Sequence, residues 1–235
     1  MTVGQADDFL RGNGFEVDKD RIEALLAYER LLLEWNAKIN LVSRRDTSDF
    51  FIRHIVGSIS FLFTHSLVSP ARLLDVGTGG GLPGIPLAIL YPDIRVTMLD
   101  SIQKKVKAVS GIVAGLRLGN ARVECARVEE FPAGPGRKFD YIIARAVSTI
   151  AKVVGWCAPL LGPPDGTGRG GSGAVAGSRR VIPTGSFIFL KGGNLAGELA
   201  PLAEVAGGAS VTVRSLDVEG SGDLLTEKKV IIISK

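Results

Sequence analysis

Asp75-Val76-Gly77-Thr78-Gly79-Gly80-Gly81-Leu82-Pro83-Gly84 is the stretch on which the reading of this chain turns. A short apolar run, Leu73-Leu74, precedes it, and Ile85-Pro86-Leu87-Ala88-Ile89-Leu90 follows it. The order is strand, glycine turn, helix. Glycine has no side chain and tolerates positive φ, so such a turn brings bare backbone against a ligand. The following helix is expected to aim its N-terminal amides at that ligand. Pro83 suits the first helical turn, where its missing N–H is no loss.

Two spacings compete within the turn. Gly79-x-Gly81-x-x-Gly84 has the spacing of the dinucleotide fingerprint. Its first glycine, however, lies four residues beyond Asp75, whereas in dinucleotide folds that glycine follows the strand closely. Counting from the strand end gives Asp75-x-Gly77-x-Gly79-x-Gly81 instead. This acid followed by GxGxG resembles the turn of class I S-adenosylmethionine-dependent methyltransferases. A second acid, Asp100, ends the run Val96-Thr97-Met98-Leu99-Asp100. A carboxylate there can accept both ribose hydroxyls, and either cofactor would use it.

Working outward, apolar runs suited to buried strands occur at 72–75, 96–99, 123–125, 141–144 and 187–190. Helical stretches intervene at 83–90, 102–118 and 149–161. Alternation of this kind implies βαβ units and a mostly parallel sheet. The end differs, because 211–216 and 229–234 are joined only by the polar turn 217–226. A connection without a helix implies an antiparallel pair. The expected fold class is α/β: a doubly wound, Rossmann-like, mostly parallel sheet with an antiparallel C-terminal hairpin at a reversed edge. That hairpin adds weight to the methyltransferase spacing.

Residues 1–65 read as helical. Ile22, Leu25, Leu26, Leu32, Leu33 and Ile39 recur at mostly three- and four-residue offsets. The pattern predicts an amphipathic helix ending near Asn40 and a second helix over 47–63. The predicted organisation is an N-terminal helical cap, 1–65, and a methyltransferase domain, 66–235. Within the latter, 162–180 is too rich in Gly, Ser and Pro to bury much apolar surface. It reads as a flexible insertion whose arginines, Arg169, Arg179 and Arg180, fit a solvated loop better than a contact with nucleic acid, the other reading open to them.

The 235 residues are 46% hydrophobic and 22% charged, which fits a soluble globular chain. A net charge of +4 permits a polyanionic partner without demanding one. Cys125 and Cys157 lie far apart without CxxC spacing, so neither a disulfide framework nor a metal site is expected. No signal-like start and no membrane-spanning apolar run is present. The expected setting is the cytoplasm, and the expected state a monomer.

Methyl transfer from a sulfonium is an in-line displacement in which the enzyme mainly aligns donor and acceptor. Enzymes that methylate exocyclic amines commonly carry an Asn/Asp-Pro-Pro-aromatic turn after the fourth strand. This chain has Ile142-Ile143-Ala144-Arg145-Ala146-Val147 instead. Cytosine C5 chemistry needs a thiolate nucleophile near that strand. Cys125 and Cys157 are not placed for it and read as buried filler. A ring nitrogen such as guanine N7 needs neither device, since it offers a lone pair and bears no proton.

Further stretches tie these features together. They are Asn36-Ala37-Lys38-Ile39-Asn40-Leu41, Arg53-His54-Ile55 with Ser58-Ile59, and Asp75 through Pro86. Leu99-Asp100-Ser101 with Lys104-Lys105, Arg127-Val128-Glu129-Glu130-Phe131, Arg145-Ala146 and Leu190-Lys191-Gly192 continue the series. Through them the chain resembles the glucose-inhibited division protein B (GidB/RsmG) family, the bacterial 16S rRNA (guanine-N7) methyltransferases. The resemblance implies S-adenosyl-L-methionine as cofactor, with Gly77, Gly79, Gly81 and Leu82 at the turn and Asp100 on the ribose side. It implies Val128 and Glu129 at the adenine end and Arg145 at the mouth, near both cofactor and RNA. Lys104, Arg127, Arg145 and Lys191 match positions expected to meet RNA, so 16S rRNA or the small ribosomal subunit is the expected partner.

Plainer readings stand beside these. Lys104 and Lys105 would also suit a solvated helix start, and Arg127 and Arg145 would also suit pairing with Glu129, Glu130 or Asp140. His54, Trp35 and Trp156 read as packing residues. Where the family usually has Asp and Pro, this chain has Gly57 and Gly80. Three other functions remain compatible with the residues: a methyltransferase of the same fold with another acceptor, a nicotinamide-dependent oxidoreductase using Gly79, Gly81 and Gly84, and a non-catalytic ribosome-assembly factor.

Overall fold

A computed structural model describes residues 1–42, 49–134, 138–163, 179–202 and 207–234. Helix α1, Val3–Gly12, begins at a reciprocal cap: the Gln5 amide donates to Thr2 Oγ1 and the Thr2 amide to Gln5 Oε1. Helix α2, Lys19–Asn36, is capped by Asp18, which accepts from the Arg21 amide at 3.0 Å. It stops at Asn36, short of the expected Asn40. The Asn36 side chain accepts from the amides of Leu41 and Val42, at 2.8 and 3.0 Å, and turns the chain away from the axis. The next helical segment is composite: π over Phe51–Val56, α over Gly57–Ile59 (α3) and 3₁₀ over Ser60–Phe63. The start expected for it, at 47 and 48, lies outside the described residues. Gly57 explains its own departure from the family pattern, because a Cβ there would sit 2.8 Å from Leu225 Cδ2.

Two short strands were not legible in the pattern. β1, His65–Leu67, pairs in parallel with β6, Arg180–Ile182, as a separate two-stranded sheet. The end of the segment read as a flexible insertion is therefore ordered. Arg179 Nη2 donates to the Gly14 carbonyl at 2.6 Å, and its guanidinium lies over Phe15. Residues 164–178 of that insertion, Arg169 among them, lie outside the described residues.

Among the described residues the main sheet has seven strands, in the order β4-β3-β2-β5-β7-β9-β8. They are β2 Ala71–Val76, β3 Ile94–Asp100, β4 Ala121–Cys125, β5 Tyr141–Arg145, β7 Ser186–Gly192, β8 Ser210–Ser215 and β9 Lys228–Ser234. Helices α4 Gly84–Leu90, α5 Gln103–Gly115, α6 Ile150–Cys157 and α7 Ala196–Leu199 complete the order. The C-terminal hairpin is present, with β9 antiparallel to both β7 and β8. The edge itself is not reversed: β9 is inserted second from the edge, and β8 outside it runs with the parallel strands.

Period-two alternation sorts the core into two layers. Leu73, Val96, Met98, Ile143, Ile188 and Val230 share one cluster with Ile22, Leu25, Tyr28 and Leu32 of α2 and with Leu87 and Val109. Leu74, Val76, Leu99, Ile142, Phe187 and Phe189 share the other with Ile150, Val153 and Cys157 of α6. Each fully buried side chain of this size stabilises the fold by about 1.5–3 kcal/mol relative to exposure. The same alternation places Asp75, two residues from Leu73, and Arg145, two from Ile143, on the layer of the N-terminal helices. That placement brings residues from both ends of the chain to one site.

Candidate functional site

The glycine turn leaves β2 at the C-terminal end of the parallel strands, where open α/β sheets bind their ligands. Gly77, Gly79 and Gly81 have φ of +65°, +59° and +95°, as the left-handed region requires. Their surroundings divide them by role. A Cβ on Gly81 would strike Ile85 Cδ1 at 2.6 Å, and one on Gly77 would strike Val147 Cγ2 at 2.6 Å. Gly80, the family's usual proline, lies 2.9 Å in the same sense from Leu32 Cδ1 of α2. A Cβ on Gly79 would meet nothing closer than 3.9 Å. Gly79 is thus the turn glycine with open space above it, and its neighbours are glycine to let protein pack close.

Hydrogen bonding turns most of the loop inward. The Thr78 amide donates to the Leu99 carbonyl, and the amides of Gly81 and Leu82 to the Thr78 carbonyl. The Gly79 amide donates to Asp100 Oδ2 at 3.0 Å, while the Ile102 amide takes Asp100 Oδ1 at 2.9 Å. Each Asp100 oxygen keeps lone-pair capacity for a further donor. The Tyr28 hydroxyl, fully buried, donates to the Gly80 carbonyl at 2.9 Å, so α2 grips the turn from beneath.

Asp75 decides what the turn can hold. Its Oδ2 accepts from Thr78 Oγ1 at 2.6 Å and from the Gly84 amide at 2.9 Å. Helix α4 begins at Gly84, with Pro83 as its cap residue, so its first amide goes to this carboxylate and not to a ligand. The expectation that the helix start faces the ligand is corrected here. A dinucleotide pyrophosphate needs that helix start, and the GxGxxG spacing is therefore a coincidence of a glycine-rich turn. Asp75 Oδ1 is buried without a hydrogen-bond partner among the described residues. Burial pushes the Asp75 carboxyl up to about 7, against the pull of Thr78 and Gly84, with Asp100 raising it further.

The other expected cofactor residues gather around this turn. The Ala126 amide donates to the Asp100 carbonyl, which sets Val128 and Glu129 beside the end of β3. Val128 is buried and Glu129 exposed on the 3₁₀ turn Val128–Glu130. Leu82 lies in the core cluster, so a ligand would meet its backbone and not its side chain. Arg145, half-buried, donates from Nη1 to the His54 carbonyl at 2.8 Å instead of pairing with Glu129, Glu130 or Asp140. Burial lowers its pKa, opposed by Tyr28 and Asp75. Two apolar residues that sequence reasoning missed, Ile102 and Val147, stand exposed at the rim. Their signal was available: each follows a strand-end polar residue, Asp100 and Arg145, by two positions.

The basic candidates separate. Lys104 and Arg127 are exposed at the same end of the sheet. Lys191 is not available in the same way. Its Nζ donates to the Ser148 carbonyl at 2.7 Å and pairs with Glu198 at 2.9 Å. His54 packs its ring on Phe50 with centroids 4.6 Å apart, Trp35 packs on Gly111, and Trp156 borders the second core cluster. Cys157 is buried as expected, and burial raises its thiol to about 12; Cys125 is exposed, because β4 is half-covered. Among the described residues no helix is long and apolar enough to cross a membrane, and no cluster of His, Cys, Asp or Glu is placed to hold a metal.

Comparison with known proteins agrees with this geometry. The family model described as rRNA small subunit methyltransferase G matches residues 21–167. The ribosomal RNA small subunit methyltransferase G of Pelodictyon phaeoclathratiforme is 33% identical over 223 residues, 94% of this chain and 88% of the relative. Its counterpart from Chlorobium luteolum is 34% identical over 226 residues, 94% of this chain and 85% of the relative. Among solved structures, a SAM dependent methyltransferase from Aquifex aeolicus superposes with a TM-score of 0.53 at 14% identity, over 79% of this chain and 93% of that one. Precorrin-6y C5,15-methyltransferase from Geobacter metallireducens gives 0.50 at 13% identity, over 84% and 91%. At such identities the likeness is one of fold: the class I S-adenosylmethionine-dependent methyltransferase sheet.

Proposed function

The chain belongs to the rRNA small subunit methyltransferase G family, and from that premise we propose that it transfers a methyl group from S-adenosyl-L-methionine to N7 of a guanosine in a loop of bacterial 16S rRNA. The Asp75–Gly84 bond carries the choice of cofactor. It removes the helix start from the ligand and leaves a turn edged by carboxylates, which suits a cationic nucleoside better than a pyrophosphate.

Bound there, the cofactor would supply a methyl group already activated by its sulfonium. Asp100 would hold the ribose and, through Gly79, the turn that faces it. The Val128 amide and Glu129 carboxylate would read the adenine edge, with Ile102 as an apolar wall. Gly79 would bring bare backbone close to the donor, with Gly77 and Gly81 letting the turn pack tightly around it and Leu82 closing the turn. Arg145, fixed to the His54 carbonyl, would position the acceptor base. Guanine N7 carries no proton, so alignment suffices and no general base is assigned. The acids Asp100 and Glu129 would offset the charge of the cationic product.

Lys104 and Arg127 would meet rRNA phosphates and make binding salt-sensitive. The target guanosine would be unstacked in a loop, since an enzyme must reach its edge. In this reading 1–65 serves as a cap that supports the turn, 66–235 as the catalytic domain, and the protein acts as a cytoplasmic monomer.

The test combines ligand-induced thermal shift with transfer of radiolabelled methyl. Stabilisation by S-adenosylhomocysteine and labelling of small-subunit rRNA at one N7-methylguanosine, missing from a deletion strain, are expected. Stabilisation by NADH alone would restore the oxidoreductase. Cofactor binding without transfer to rRNA would leave a binding-only assembly factor or another acceptor.

A further inference from the structure

At the end of the sheet opposite the glycine turn, the corner formed by β2, β3 and β4 is lined with arginine. β2 and β3 pair with Arg72 directly opposite Arg95, and β3 and β4 pair with Thr97 opposite Arg122. Alternation puts all of these on the face opposite Leu73 and Val96. Three guanidinium groups from three adjacent strands thus stand together near the N-terminal ends of those strands. Like charges directly opposite each other on a sheet disfavour pairing.

The covering layer is missing at this corner. A parallel sheet normally carries helices on both faces and reads as continuous apolar runs. Here the link from β4 to β5 holds, among the described residues, only the 3₁₀ turn Val128–Glu130. β4 accordingly reads Ala-Arg-Val-Glu-Cys, the alternation of a strand with one wet face.

The arginines are held in place. Arg72 lies over the Phe139 ring, 5.5 Å from its centroid, and Arg122 Nε donates to Thr97 Oγ1 at 2.9 Å. Arg95 is exposed, and no carboxylate lies within ion-pairing reach of it among the described residues. Arg122 also meets Glu124 at 3.1 Å, but the Arg122 side chain is 56% exposed, and such a pair contributes about 0–1 kcal/mol. Arg21 and Arg117 line the same open cleft of about 1360 Å³, whose acids are Asp20 and Asp93. Among the described residues, the five cations lining it are all arginine and none is lysine. Arginine's planar fork matches phosphate oxygens two at a time.

We propose that this arginine corner is a second docking surface for the rRNA substrate, engaging its phosphate backbone away from the reacting base. Arg95 and Asp100 are separated along β3 by about 17 Å at ~3.3 Å per residue, so one folded RNA segment can span both. The inference rests on the proposed RNA substrate. It predicts binding that is indifferent to base sequence and strongly dependent on salt.

The test uses the full chain with Arg95→Gln and with the double substitution Arg95→Gln/Arg122→Gln. Affinity for small-subunit rRNA is measured across a salt series, alongside S-adenosylhomocysteine affinity and the kcat and KM of methyl transfer. The double variant is expected to weaken rRNA binding about tenfold and to flatten the salt dependence by roughly one to two phosphate contacts. KM for RNA rises in step, with kcat and cofactor affinity unchanged. Arg95→Gln alone, which disturbs no internal bond, gives a smaller shift in the same direction. Unchanged rRNA affinity and salt slope in both variants, with cofactor binding intact, overturn the docking surface. Wild-type protein that binds rRNA but transfers no methyl overturns the reaction, and the variants still judge the surface. Wild-type protein that binds no rRNA overturns both.

Discussion

Lys191, at the end of β7, and Glu198, in α7, form an ion pair at 2.9 Å that clamps the loop after β5. Lys191 Nζ also donates to the Ser148 carbonyl, and Glu198 Oε2 accepts from the Ile150 amide at 3.0 Å, the first residue of α6. Val147, the residue just before the Ser148 anchor, packs against Gly77 of the glycine turn. A residue expected to touch RNA is thereby occupied in holding the rim of the site.

Lys191→Met and Glu198→Gln are each expected to lower stability by about 1–3 kcal/mol, since each leaves a half-buried charged partner uncompensated. Both should reduce methyl transfer with little change in rRNA affinity. Thermal melts and RNA titrations check this. A tenfold loss of rRNA binding by Lys191→Met at unchanged melting temperature would return Lys191 to the RNA surface.

Asp75 makes stability depend on pH. Its carboxyl is raised by burial from 3.8 to about 7, so between those values the folded chain holds a proton that the unfolded chain has lost. The associated stability is fully present below about pH 4 and declines as pH rises, by about 1.4 kcal/mol per unit, until pH passes about 7. Asp75→Asn should flatten that decline. Denaturation midpoints of both proteins at about pH 5 and about pH 8 measure it, and parallel pH dependences would contradict it.

Gly84 and Gly79 should fail differently when changed to alanine. A Cβ at Gly84 would lie 2.5 Å from Met98 Cγ and 2.7 Å from Asp75 Oδ2. Gly84→Ala is expected to cost about 1–3 kcal/mol or more through overpacking. Gly79→Ala meets no such clash and carries only the positive-φ penalty of about 1–2 kcal/mol. Its new methyl faces the ligand side, so it should weaken S-adenosylhomocysteine binding about tenfold or more, against a smaller loss for any variant that merely destabilises. Calorimetric titration beside thermal melts separates the two.

Tyr28→Phe removes the hydroxyl that holds the Gly80 carbonyl from α2. The buried carbonyl left behind predicts a loss of about 1–3 kcal/mol and weaker cofactor binding, because the turn loses its support. Unchanged cofactor affinity in the folded variant would confine Tyr28 to a packing role.

Arg145→Ala should impair methyl transfer far more than folding. It breaks one bond to the His54 carbonyl, worth about 1–3 kcal/mol for a charged donor. Transfer should fall by about a hundredfold or more if the guanidinium positions the base. Activity within a few-fold of wild type would remove Arg145 from the site.

The sequence determined by itself whatever depends on neighbours in the chain. The alternation of apolar runs and helical stretches pointed to the parallel sheet, and the short polar link between 211–216 and 229–234, which holds only the 3₁₀ turn Gly222–Leu225, pointed to the antiparallel pair. The glycines after Asp75 announced a left-handed turn, because a positive φ is a property of one residue. Tertiary structure alone decided what joins residues far apart: the start of α4 satisfied by Asp75, Tyr28 beneath Gly80, Lys191 drawn to Glu198 and Ser148, β9 slipped inside the edge, and β1 paired with β6. A lysine in a motif looks the same whether it faces a phosphate or a carboxylate. Only the fold brings up the partner, because local periodicity fixes which face a side chain takes and not what stands across from it.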